Sequence, residues 1–153
     1  MQAVEASLLH VLAGSELVAF VASRDLMSSH EFYGGVLGLE RVEATPFANV
    51  YDVGGTMLRI TEVKTVACAP YTVLGWNVAD IQASVESLSV SGVGFNRYDG
   101  MDQDNAGIWS APGGARVAWF DDPDGNTLSL SELPGPDDQE RIAGARSRTT
   151  RRG

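Results

Sequence analysis

Val117-Ala118-Trp119-Phe120-Asp121-Asp122-Pro123-Asp124-Gly125-Asn126-Thr127-Leu128-Ser129-Leu130 holds two alternating apolar runs on either side of a four-residue turn. Pro123 fixes φ for the first corner of a type I turn, and Gly125 supplies the left-handed residue that follows. The segment therefore reads as a β-hairpin whose alternate side chains share a face.

Working backwards from this hairpin, two stretches of the chain can be laid over each other, as in an internal repeat. Leu17 to Ala22 is a short apolar strand candidate, followed by a helix from Asp25 to Tyr33 with Leu26, Phe32 and Tyr33 on one side. Ser23 or Asp25 can cap it. Tyr71 to Val78 is the matching strand, and Asp80 to Leu88 the matching helix, with Ile81, Val85 and Leu88 at helical spacing. Glycines follow both helices, Gly34, Gly35 and Gly38 in the first copy and Gly92 and Gly94 in the second. Three β-like runs come next in each copy: Leu39–Ala44, Phe47–Val53 and Thr56–Val63, then Gly94–Tyr98, Ala115–Asp121 and Asn126–Leu130. The plan is βαβββ, written twice.

Composition bounds what such a chain can do. Its 153 residues suit one domain, and the lone Cys68 excludes an internal disulfide framework and fits a reducing cytoplasm. Cys68 reads as a small packed side chain rather than a nucleophile. No apolar run approaches the ~20 residues of a membrane helix, and Met1 to Gly14 lacks the basic start of a signal peptide, so a cytoplasmic location is expected. A formal net charge of -9 opposes nucleic acid, the basic residues clustering only at Arg146–Arg152. Residues 1–15 form an N-terminal extension, with Val4 to Leu12 apolar enough for a short helix, and residues 134–153 a polar tail expected to be disordered.

The hairpin, Asp25-Leu26 with Phe32-Tyr33, Leu37-Gly38-Leu39, and Phe120 with Asp122-Pro123-Asp124-Gly125 together resemble the vicinal oxygen chelate superfamily. That superfamily holds glyoxalase I, bleomycin and fosfomycin resistance proteins and extradiol dioxygenases. The resemblance covers about residues 16–133, in modules of about 16–64 and 70–133. It implies an α+β fold in which two tandem βαβββ modules form a curved mixed sheet around a ligand cavity, with a homodimer as the common assembly.

The family's metal enzymes carry a ligand, usually His, on the first strand of each module and another, usually Glu, on a last strand. The matching positions here are Val18, Tyr71, Arg59 and Ser129, none of them a good ligand, and the neighbours Leu17, Leu58, Thr72 and Leu128 are no better. No metal and no cofactor is expected. His10 and His30, the only histidines, fall outside the cavity strands, and Asp121, Asp122 and Asp124 fit turn chemistry better than a calcium loop.

What remains is a lining for a small molecule. Arg59 requires a partner, which an internal carboxylate or a ligand carboxylate, phosphate or enolate would supply. Met101 and Trp109, in the loop from Asp99 to Gly114, could close over a flat ligand, and Phe20, Phe47, Tyr51 and Tyr71 offer aromatic surface, with Ser129 beside them. Trp76 is out of phase with Tyr71 and should pack beneath a helix, while Trp119 could face either way. Three readings follow. The first is a metal-independent protein that binds a small aromatic or anionic molecule. The second is a metal-independent enzyme in which Arg59 steadies an enolate or carboxylate while Tyr71, Asp102 or Asp104 moves a proton. The third is a metal-dependent lyase or dioxygenase, against which every ligand position stands.

Overall fold

A computed structural model describes residues 10–136. The expected helix over Val4–Leu12 and the expected disordered tail lie almost wholly outside these residues. His10 to Ser15 forms a turn, in which Ala13 N–H donates to the His10 carbonyl at 3.1 Å.

Along the chain, two compact units divide between Val66 and Ala67. The first holds β1 (Val18–Ser23), α1 (Leu26–His30) running into a π-helical turn (Glu31–Val36), β2 (Glu40–Ala44), β3 (Ala48–Val53) and β4 (Thr56–Glu62). The second holds β5 (Leu74–Asn77), α2 (Ile81–Val90), β6 (Trp109–Ser110), β7 (Arg116–Asp121) and β8 (Thr127–Glu132). Their sheets have the same order, β1-β4-β3-β2 and β5-β8-β7-β6. In each, the first strand runs parallel to the last and the remaining pairs are antiparallel. The duplicated βαβββ plan is thus present.

Local chemistry explains where the elements begin and turn. The Asp25 carboxylate accepts from the Met27 and Ser28 amides, and that of Asp80 from the Ala83 amide, so aspartate satisfies the loose N–H groups of both helices. At the closing hairpin Gly125 has φ 88° and its N–H donates to the Asp122 carbonyl at 3.0 Å. The Asp122 carboxylate accepts from the Asp124 and Asn126 amides and from the Asn126 side chain, so the turn consumes it. The aspartates serve the reversal, as their spacing suggested.

Each sheet packs one face under its helix. In the first unit Val21, Leu58 and Ile60 are buried there with Tyr33. In the second, Phe120, Ala118, Leu128 and Leu130 meet Ile81 and Val85 of α2, and Trp76 stacks on Phe120 with ring centres 6.4 Å apart. Trp76 therefore does pack on the helix side. Cα register shifts between Arg41 and Glu43, a bulge in the exposed edge strand β2.

Three expected elements differ. Tyr71 to Thr72 is not strand, since β5 starts only at Leu74. Phe47 lies in the turn before β3, where Thr45 Oγ1 accepts from the Phe47 and Ala48 amides. Gly94–Tyr98 forms no strand: Phe95 makes an isolated bridge to Phe120, and the ladder on β7 is supplied instead by β6, inside what read as a loop. Glycines and a short polar run deprived that stretch of the pairing its alternation suggested.

Candidate functional site

Strand register decides which side chains share the helix-free faces, because residues opposite each other on paired strands point the same way. In the first unit, β3 fixes the phase. Asn49 Nδ2 donates to the Leu26 carbonyl of α1 at 2.9 Å, and the Tyr51 hydroxyl meets His30 Nδ1 at 2.9 Å, so odd-numbered β3 residues face the helix. Val50 then faces away from it, and its register partner Arg59 does so too, as does Phe20, which stands opposite Arg59 on β1.

Phe20 is 65 % exposed, and Arg59 beside it is half-buried. Among the described residues Arg59 has no ion-pair or hydrogen-bond partner, so the internal salt bridge that was one of its two readings is not formed there. Val18 and Met57, also paired, extend this face with apolar surface.

Tyr51 is placed elsewhere. It is fully buried on the helix side, where it packs with Tyr33 and His30 rather than joining Arg59. Burial raises the Tyr51 hydroxyl pKa, against a lowering by Arg41 and by its Asn49 contact. Burial lowers the His30 pKa, and the Arg41 cation adds to that. His30 is thus a half-packed histidine that works in the seam between helix and sheet. Phe47, 75 % exposed, lies in its turn outside the strands.

The second unit repeats the register with different chemistry. Gly75 stands opposite Ser129 on β8, and Ser129 opposite Trp119 on β7. Val117, two residues from Trp119, pairs with Trp109 of β6. One face therefore carries Ser129, Trp119 and Trp109, and Tyr98 joins it: its ring lies 5.5 Å from that of Trp119, edge-on, while the two indoles are 6.1 Å apart. Trp119 was the residue whose side the sequence left open, and Tyr98 was missed. Alternation could not settle Trp119 because phase depends on where pairing starts. Tyr98 sits in irregular chain that carries no period at all.

Ser129 is buried, and a Cβ at Gly75 would come within 2.8 Å of its Oγ, so the face is closely filled at that point. Met101 is half-buried at the end of a turn from Tyr98. The Asp104 Oδ1 accepts from the Ala106 and Ile108 amides, which ties it into the loop. Away from this face, a groove of about 570 Å³ runs between α2 and the following loop, past Val85, Val90, Phe95 and Arg97.

Register also corrects one metal position. Val18 and Val73 stand equally far before the capping residues Asp25 and Asp80, and Val73 N–H bonds to the Thr127 carbonyl in line with the β5–β8 ladder. The second-module counterpart of Val18 is therefore Val73; Tyr71 falls outside the strand and is 66 % exposed. Val18, Val73, Arg59 and Ser129 offer a hydroxyl and a cation, which do not fit a divalent metal. Among the described residues no three His, Cys, Asp or Glu side chains gather to hold one elsewhere.

The model of the glyoxalase/bleomycin resistance protein/dioxygenase superfamily matches residues 8–130. The chain belongs to that superfamily. No curated protein matches it. Among solved structures, a glyoxalase/bleomycin resistance protein from Catenulispora acidiphila is 24 % identical with a TM-score of 0.58, over 78 % of this chain and 98 % of that one. A lactoylglutathione lyase from Agrobacterium tumefaciens is 17 % identical with a TM-score of 0.59, over 77 % and 92 %. The oxidase ChaP-H2 is 19 % identical with a TM-score of 0.59, over 80 % and 95 %. At such identities the likeness is one of fold. This superfamily member has no helix among the described residues that is long and apolar enough to cross a membrane.

Proposed function

We propose that this superfamily member binds a small aromatic anion on the helix-free face of its first sheet without using a metal ion. The carrying observation is Arg59, which stands opposite Phe20 in the β1–β4 register and has no partner among the described residues. A half-buried guanidinium loses part of its hydration, and a planar carboxylate or a phosphate restores that loss with paired charge-assisted bonds.

The test is calorimetric titration with benzoate and phenyl phosphate against the neutral benzyl alcohol. Hydrogen bonds to a charged group are worth about 1.5–3 kcal/mol, so the anions should bind at least about tenfold more tightly, and Arg59→Ala should abolish the difference. Equal affinity for benzoate and benzyl alcohol, or no stabilisation by any member of a wider aromatic library, would overturn the proposal.

A further inference from the structure

The segment after α2 lacks the strand its alternation suggests, yet it presents Tyr98 and Trp109 to the same indole. Asn96 N–H still bonds to the Trp119 carbonyl at 2.8 Å, after which the chain leaves β7. From there residues 96–107 run largely exposed and bond within themselves, Met101 N–H to the Tyr98 carbonyl and Gly107 N–H to that of Asp104, which leaves the Tyr98 amide and the Asn96 and Gly107 carbonyls to be met by a side chain.

The Gln103 side chain meets that need. Its Oε1 accepts from the Tyr98 amide at 2.8 Å, and its Nε2 donates to the carbonyls of Asn96 at 2.9 Å and Gly107 at 2.8 Å. Reversing the amide would set its NH2 against the Tyr98 N–H and its oxygen against two carbonyls, so the network fixes its orientation. The Gln103 backbone forms an isolated bridge to Trp109 as well. Arg97 ties the same loop by donating to the Asp104 and Asn105 carbonyls, both at 2.8 Å, but it does so from the exposed side.

We propose that Gln103 is the positioning residue of the aromatic ledge: one half-buried amide replaces the missing strand ladder and sets Tyr98 and Trp109 against Trp119. Its effect is read within the second unit alone.

Two indoles 6.1 Å apart give an exciton couplet in far-ultraviolet circular dichroism, and this can be read without any ligand. Trp119→Phe supplies the signal with the pair broken. Gln103→Ala should lose most of the couplet and of the near-ultraviolet aromatic ellipticity, and Gln103→Glu, which keeps the acceptor for Tyr98 but loses both donors, should lose part of it. Where Gln103→Ala does not fold, Gln103→Glu decides alone. A couplet of unchanged amplitude in the folded variant overturns the assignment. The readout needs no ligand, so its failure and a failure of the binding reading are told apart.

Discussion

At equivalent places in the two sheets, the first unit pairs Phe20 with Arg59 and the second pairs Gly75 with Ser129. The next strand reverses the contrast: Val50 lies opposite Arg59, and Trp119 opposite Ser129. One sheet thus carries its bulk and charge on the β1–β4 side of its helix-free face, the other its bulk on the β6–β7 side. The helix seams differ too. The first is polar, with Asn49, Tyr51 and His30 bonded across it and the buried Ser29 hydroxyl without a partner among the described residues; the second is aliphatic and aromatic around Phe120. A duplicated plan conserves backbone pairing because the ladder is indifferent to side chains, while each face is free to diverge.

The sharpest way to break the contrast is to put bulk at Gly75. A Cβ there would lie 2.8 Å from Ser129 Oγ and 3.3 Å from the Ser129 carbonyl oxygen; the hydroxyl can rotate, but the carbonyl cannot. Gly75→Ala should destabilise by about 1–3 kcal/mol in urea unfolding, the usual cost of overpacking. Adding Ser129→Gly should recover part of it. An unchanged midpoint would show that β5 tolerates the bulk that β1 carries.

A smaller effect tests the polar seam. The His30 ring lies so close to Gly34 that a Cβ there would collide with its Cε1. Gly34→Ala should displace the ring, break the bond to the Tyr51 hydroxyl and cost about 1 kcal/mol, the net worth of such a bond. Tyr51→Phe removes the same bond, so the double variant should cost less than the sum of the two. Strict additivity would mean that Gly34 does not act through His30.

The smallest effect is in pH. The folded His30 pKa is depressed below the ordinary 6.5, first by burial and then by Arg41. The unfolded chain therefore takes up a proton first as pH falls. Its stabilising contribution is present above about pH 6.5 and is lost as pH drops toward the folded value. His30→Gln should flatten the melting temperature between neutral and mildly acid pH, whereas an unaltered slope would assign it to other groups.

Much of the fold was legible because its signals are local. Asp25 and Asp80 cap helices through their own neighbours' amides, and Asp122-Pro123-Asp124-Gly125 closes a turn within itself. The site was legible only in part. Arg59 and Phe20 do share a face, and Trp109 and Ser129 share another, yet Tyr51 turns to the helix while Phe47 and Tyr71 stop short of their strands. A period of two predicts which residues lie together but not which side is covered, and one misplaced strand start or bulge reverses the assignment.

The sequence by itself thus determined the repeat, the caps and the turns, since each depends on residue chemistry over a few neighbouring positions. Only the tertiary structure decided that Trp119 joins Trp109 and that Gln103 stands in for a strand. Those facts depend on pairing between segments far apart in the chain, and no local pattern carries that information.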